Sequence, residues 1–181
     1  MKCKCIEALN AEHKTMLRIA DVLESMSKEA ADKAEYNTAD VQAMFDLLHS
    51  FGDDLHQAKE EGALFPIFTT HADASEYASI RHMVFEHEQD RSMMSGMADA
   101  IARSNAPQFA EYAARLTGIL RNHIFKEDNI LFETIRTHLS EEDDKRIVEE
   151  FAAFDADFHT RHPKLLDSLR SLEWKYLRKI A

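Results

Sequence analysis

Two short segments of the sequence place a histidine four residues before a glutamate. They are His56 with Glu60 and His123 with Glu127, and in both segments Lys precedes the Glu and Leu-Phe follows one turn later. Residues four apart lie on one face of an α-helix, so both members of a pair can reach one cation. Imidazole suits iron, zinc and copper, and a carboxylate can bridge two ions with its two oxygens. The repetition predicts two helices that face each other across a single metal site.

Two further histidines, His13 and His87, lie on the apolar stripes of the other predicted helices. A single histidine in such a position is ordinarily a packed residue. Four of them at similar depth in antiparallel helices, together with two glutamates, predict a site. Six ligands exceed the need of one ion, so we predict two ions, each bound by two histidines and bridged by both glutamates. The candidate metal ligands are His13, His56, Glu60, His87, His123 and Glu127.

Apolar residues spaced three and four apart predict four long helices, over about residues 4–31, 38–66, 74–103 and 106–138. Asn37 or Thr38 can cap the second helix, and Asp73 with Glu76 resembles a capping box for the third. Pro66 is expected to kink or end the second helix near its last turn.

Long amphipathic helices joined by short loops predict an all-α fold, an up-down-up-down four-helix bundle with additional C-terminal helical segments. Residues 1–139 are expected to form the bundle. Residues 140–181 are expected to form a C-terminal helical extension, broken at Pro163, that packs on the bundle or on a partner. A stripe with Trp174 and Tyr176 fits either a homodimer face or a cap on the bundle.

Composition excludes several classes of protein. The net charge of −11 argues against nonspecific nucleic-acid binding, which needs a basic surface. No apolar run approaches the roughly 20 residues of a membrane span, and the N-terminus lacks the apolar core of a signal peptide. We therefore expect a cytoplasmic protein without a membrane or nucleic-acid partner.

The order His13, His56-x-x-x-Glu60, His87, His123-x-x-x-Glu127 resembles the hemerythrin-like (HHE) family of cation-binding bundle proteins over about residues 6–139. Local contexts agree, because a Glu precedes both single histidines and Lys-Glu precedes both Leu-Phe pairs. The resemblance implies a non-haem di-iron centre with an oxo or hydroxo bridge. One iron would take His13 and His56 and the other His87 and His123, with both glutamates bridging.

The sequence departs from the oxygen-carrying hemerythrins on the third helix. Those proteins have an additional histidine one turn before the ligand, where this chain has Met83. The open position is left to water or to a ligand from elsewhere, for which Glu35, Tyr36 and His49 are candidates. His49 is alternatively a core histidine. Asp128 is the alternative to Glu127 as a bridging carboxylate.

The resemblance implies a metal- and O2-binding protein, rather than a dedicated enzyme, that binds O2 or a related diatomic for sensing, storage or transport. The alternative is a redox or iron-handling protein that acts on nitric oxide or peroxide, or donates iron for iron–sulfur cluster repair. A metal-free bundle used as a protein-interaction module is a third hypothesis. The same ligands also accept zinc or manganese.

Two pairs of potential ligands lie outside this pattern. Cys3 and Cys5 are too close for a disulfide framework, and the hypotheses are a redox or transfer site or two exposed thiols in a frayed terminus. His159 and His162, three residues apart, fit either an ordinary surface pair or a metal site shared with another molecule.

Overall fold

Six helices make up most of the chain in the computed structural model, which describes residues 3–178. Helix α1 is Lys4–Lys33, α3 is Ala74–Ala102, α5 is Glu141–Arg161 and α6 is Leu165–Tyr176. Helices α2 (residues 38–69) and α4 (residues 106–138) are composite. The described residues contain no strand, and the predicted all-α fold is confirmed.

The composite helices alternate between α-helical and π-helical stretches. Helix α2 is built from Thr38–Asp46, the π-helical Leu47–Gln57, the π-helical Glu60–Leu64, and Phe65–Thr69. Helix α4 is built from Ala106–Lys126, the π-helical Glu127–Leu131, and Phe132–His138. Each of the two shorter π turns thus begins at a candidate bridging glutamate. Such turns occur mostly as single-turn insertions in α-helices, and they are frequent at functional sites.

Side-chain caps end the short loops between bundle helices. Asn37 accepts a hydrogen bond from the Asp40 amide at 3.0 Å, and Asp73 forms the predicted capping box with Glu76. Each such cap stabilises a helix by about 1 kcal/mol. The loops between α1, α2, α3 and α4 hold four, four and three residues, so consecutive helices run antiparallel as predicted.

Pro66 was expected to kink or end the second helix near its last turn, and the helix ends at Thr69, about one turn later. The π turn Glu60–Leu64 immediately precedes a new α-helical stretch, and Pro66 falls in the first turn of that stretch. Proline is tolerated there because its missing N–H would have no partner in the helix.

A layer of buried polar side chains divides the hydrophobic core in two. The small core lies at one end and includes Cys5, Leu9 and Phe132. The large core fills the rest of the bundle and begins one turn beyond His13, at Met16. The candidate ligands therefore lie between two apolar regions that keep bulk water away.

The two C-terminal helices pack against both cores. Phe151 of α5 lies in the small core, whereas Leu169 and Tyr176 of α6 lie in the large core. The predicted aromatic stripe is split, because Tyr176 is buried but Trp174 is exposed and stacks under Arg178. No helix in residues 3–178 is long and apolar enough to cross a membrane.

Candidate metal centre

The structure brings all six predicted ligands together in the polar layer. Each is at most 2% exposed. One set of ligand atoms, from His13, His56, Glu60 and Glu127, lies within 4.8 Å of one another, and a second set, from Glu60, His87, His123 and Glu127, does the same. The two sets share both glutamates, which is the arrangement of two ions with two carboxylate bridges.

The atoms that face inward are Nε2 of the histidines and the carboxylate oxygens. Glu127 Oε2 lies 3.2 Å from Nε2 of both His13 and His123. Glu60 reaches His56 at 3.7 Å and His87 at 3.4 Å. Despite these short distances, all four glutamate oxygens and Nε2 of His13 and His56 make no hydrogen bond. Buried polar atoms without partners are costly. Cations bound between them would remove that cost, so the residues fit a dinuclear metal centre.

Four carboxylates on the outer side of the histidine rings orient the four imidazoles. Nδ1 of His13 donates to Asp128 at 2.6 Å, and Nδ1 of His56 donates to Glu12 at 2.9 Å. Because a carboxylate only accepts hydrogen bonds, each Nδ1 carries a proton, which leaves the inward-facing Nε2 to bind either a second proton or a cation.

The same holds in the other half of the centre. Nδ1 of His87 donates to Glu61 at 2.7 Å, and Nδ1 of His123 donates to Glu86 at 2.9 Å. In all four imidazoles, the hydrogen bond from Nδ1 to a carboxylate thus directs Nε2 inward, as a metal ligand requires.

The two halves of the centre repeat one set of contacts. Glu12 orients His56, and Lys59 contacts Glu12. In the same way Glu86 orients His123, and Lys126 contacts Glu86. Glu61 and Asp128, each next to a bridging glutamate, orient the single histidines His87 and His13.

Aromatic rings extend the repeat. Phe65 stacks on His87 and Phe132 stacks on His13, with ring centroids 6.3 and 5.4 Å apart. Each phenylalanine follows its bridging glutamate by five residues, just past the π turn. The Leu-Phe echo in the sequence therefore reflects duplicated packing around the centre.

Most of these outer carboxylates were not predicted from the sequence. Asp128 was the alternative bridge, but its carboxylate bonds Nδ1 of His13 on the outer side of the ring, so that assignment was wrong. Glu12, Glu61 and Glu86 carried no predicted role. The sequence does contain a repeat that marks them. The pair Glu-His occurs at residues 12–13 and 86–87, and Lys-Glu followed by an acidic residue occurs at 59–61 and 126–128.

None of the candidates for the missing ligand lies at the centre. Glu35 is exposed, and the Tyr36 hydroxyl donates to the backbone of Ile101 at 3.2 Å, at the far end of the bundle. His49 is exposed and pairs with Asp54 at 3.2 Å, so it is neither a ligand of this centre nor a core histidine. Met83 is buried in the small core, which makes that side of the centre apolar.

Comparison with known proteins agrees with the geometry. Residues 5–135 match the hemerythrin HHE cation-binding domain. The chain belongs to the hemerythrin HHE cation-binding family. A curated relative, a DNA nickase from Nostoc sp., is 26% identical over 144 residues, which cover 69% of this chain and 41% of the nickase. The chain thus spans less than half of that relative's length. No solved structure gave a significant match.

The hemerythrin centre binds protons strongly when it holds no cation. Burial alone would lower the pKa of His13, but the carboxylates of Asp128 and Glu127 raise it to about 9. Burial would also lower the pKa of His87, but the carboxylates of Glu60 and Glu61 raise it to about 9. Burial would raise the pKa of Glu127, but His123 and His13 hold it well below its usual range. A cation must therefore displace imidazolium protons to bind.

A small cavity of about 20 Å³ lies next to the centre, on the side of the large core. Its lining includes a residue about one turn from each histidine, namely Met16, Gly52, Asp90 and Leu120. Asp90 is 3% exposed, and its Oδ1 has no hydrogen-bond partner. Oε1 of the neighbouring Gln57 also has none. Burial raises the pKa of Asp90 to about 7. The volume is enough for one water-sized molecule.

The remaining predicted features have different outcomes. Cys3 and Cys5 are buried, so the hypothesis of exposed thiols in a frayed terminus is wrong. His159 is exposed and its Nδ1 donates to the Asp155 carbonyl, whereas His162 packs beside Phe158. Among the described residues these two histidines join no group of potential ligands.

Proposed function

We propose that the chain is a non-haem di-iron protein that binds O2 or a related diatomic for sensing, storage or transport. His13 and His56 would bind one iron, His87 and His123 the other, and both glutamates would bridge them. The observation that carries the proposal is the pair of buried four-residue sets that share Glu60 and Glu127. Two ferrous ions supply the two electrons that reversible binding of O2 requires.

The chain's own residues favour a small, uncharged ligand. The small cavity adjoins the centre and is mostly apolar, apart from Asp90, Gln57 and the partly exposed Asp53. Its volume excludes organic substrates, whereas a diatomic is close to the size of water. On the opposite side, Met83 and Leu131 are buried in the small core and also line a separate surface pocket of about 680 Å³. We propose the small cavity as the position of the ligand because its lining lies about one turn from each histidine.

Metal analysis and anaerobic spectroscopy test this function. We expect two irons per chain, and an absorption change on exposure of the reduced protein to O2 that reverses under argon. His123→Ala should abolish both, whereas His49→Ala, which removes an exposed histidine away from the centre, should change neither. A chain that selects zinc or manganese over iron would refute the di-iron proposal, and an irreversible absorption change would refute O2 binding.

The second candidate is a redox protein that reduces peroxide. Reduction of H2O2 to two waters consumes two protons and two electrons, and Asp90 is a buried acid with a pKa of about 7 beside the centre. Asp90→Asn would then remove peroxide turnover at neutral pH and leave iron content unchanged. If turnover survives that substitution, Asp90 is not the proton donor and the peroxide hypothesis loses its support.

A cytoplasmic location and a homodimer through the C-terminal helix stay predictions. The exposed Trp174 supports a contact there, but its ring is already covered on one face by Arg178. Sedimentation of wild type and Trp174→Ala would test the homodimer.

A further inference from the structure

The start of helix α1 carries a second group of potential metal ligands, separate from the hemerythrin centre. Sγ of Cys3 and Sγ of Cys5 lie 3.3 Å apart. Sγ of Cys3 also lies 3.4 Å from Oδ1 of Asp144, which is in the first turn of α5. All three side chains are buried, and their ligand atoms lie within 4.8 Å of one another.

Hydrogen bonds already fix this triangle. Asp144 accepts from the backbone amides of Lys4 at 3.1 Å and Cys5 at 2.9 Å, and so caps the N-terminus of α1 in place of the capping residue Cys3. The thiol protons lie between the two sulfurs and the carboxylate. A cation at the centre of the triangle would replace these protons without moving the backbone.

We propose that Cys3, Cys5 and Asp144 bind a thiophilic divalent cation, with Zn²⁺ as the fitting ion. Thiolate and carboxylate are both zinc ligands, and three protein ligands leave the fourth tetrahedral position to water. Two thiolates and one carboxylate carry three negative charges, so a divalent ion leaves less charge buried than a monovalent one. The positive end of the α1 dipole offsets part of the remainder.

Electrostatics in the triangle favours a cation over a free dithiolate. The hydrogen bond from Cys5 lowers the pKa of the Cys3 thiol. The same bond with Cys3, then burial, raises the pKa of the Cys5 thiol far above its usual range. The second thiol keeps its proton because ionisation would place another negative charge beside Cys3 and Asp144. A bound cation removes that repulsion and releases the proton.

The ion would act as a structural clip. It would join the first turn of α1 to the first turn of α5, across 139 residues of sequence. Cys5, Leu9 and His13 follow one another at four-residue intervals, so the triangle lies about 12 Å along α1 from the hemerythrin centre. The two sites share a helix but no ligand, and the clip would fix α5 against the bundle.

Thiol readouts isolate this site, because Cys3 and Cys5 are the only cysteines of the chain. With the hemerythrin centre already loaded with metal, we expect one further equivalent of Zn²⁺ to protect both thiols of the full chain from a chromogenic disulfide reagent. Co²⁺ should give a thiolate-to-metal charge-transfer band, which the histidines and glutamates of the other centre cannot produce. Cys5→Ser should abolish that band, and Asp144→Asn, which keeps one capping oxygen, should weaken Zn²⁺ protection by roughly tenfold or more.

Glu142→Gln is the matched control, because it removes an exposed carboxylate from the same turn of α5 and should change neither readout. The proposal is overturned if Zn²⁺ leaves the thiol reaction rate unchanged, or if the cobalt band survives Cys5→Ser. It is also overturned if H2O2 converts the thiols to a Cys3–Cys5 disulfide equally fast with and without Zn²⁺. Wild-type protection and Asp144→Asn decide the matter even if Cys5→Ser does not fold.

Discussion

Lys59 provides the sharpest test of the charged groups that hold the histidines in place. Its side chain is 1% exposed, and its ammonium contacts the carboxylate of Glu12 and, at 2.6 Å, Oδ1 of Asp155 in α5. Lys59→Met keeps the length of the buried stem and removes only the charge. Glu12 then keeps the hydrogen bond from Nδ1 of His56 but loses its cationic partner.

The magnitude follows from the exposure of each partner. Removing one member of a fully buried ion pair costs about 3–5 kcal/mol, because the other charge is left without a counterion. Asp155 is 45% exposed and recovers hydration, so its share of the loss is small. Methionine packs well in an apolar gap, and this packing offsets a further part of the lost free energy of unfolding. We expect Lys59→Met to lower the free energy of unfolding of the metal-free protein by about 2–4 kcal/mol.

The duplicated motif supplies the control. Lys126 contacts Glu86 as Lys59 contacts Glu12, but Lys126 is 23% exposed and water can replace its ammonium. Lys126→Met should cost only about 1 kcal/mol. Urea unfolding of both variants measures the difference, and the double variant with Glu12→Gln isolates the coupling to Glu12. If the two lysine variants lose equal free energies of unfolding, burial does not make the Lys59–Glu12 contact stronger than the Lys126–Glu86 contact.

Three further predictions concern the centre itself. His13 and His87 have folded pKa values of about 9, above the unfolded value of about 6.5, so their protonation stabilises the metal-free protein fully below pH 6.5 and progressively less up to pH 9. Urea titrations with a chelator present should show that decline, and its absence would contradict the raised values. Loading metal at pH 7 should release these protons, so the heat of metal binding should depend on the ionisation enthalpy of the buffer. The same heat of binding in all buffers would mean that the imidazoles were already neutral. Met83→His places an imidazole one turn before His87 and should raise metal affinity and slow exchange with free metal; an unchanged affinity would show that position 83 does not face the ions.

The sequence predicted which six side chains would meet in the polar layer, because those residue types recur at a helical period. A His-x-x-x-Glu pair needs only helix geometry to form one face, and its recurrence pointed to both glutamates as candidate bridges. The outer carboxylates were not predicted because their roles depend on which helices are neighbours. Glu61 acts on a histidine of α3 and Asp128 on one of α1, and no local pattern specifies those pairings.

Helix continuity and the burial of the thiols were also not predictable from local rules. Pro66 looks like a helix breaker until the π turn that precedes it is known. Cys3 and Cys5 look exposed because they are near the end of the chain. Only the approach of α5, with Asp144 at its first turn, buries them.

If two ions bind as proposed, the shared glutamates have a consequence for how they would enter. Each set of ligands contains both Glu60 and Glu127, so the first ion to bind must draw both carboxylates into position and neutralise part of their charge. The second ion then meets a site whose shape is already fixed. Loading should therefore be cooperative, with few singly occupied molecules at intermediate metal concentrations. A half-bundle that lacks either pair of helices offers neither ion a complete set of ligands, so occupancy reports that all four bundle helices have assembled.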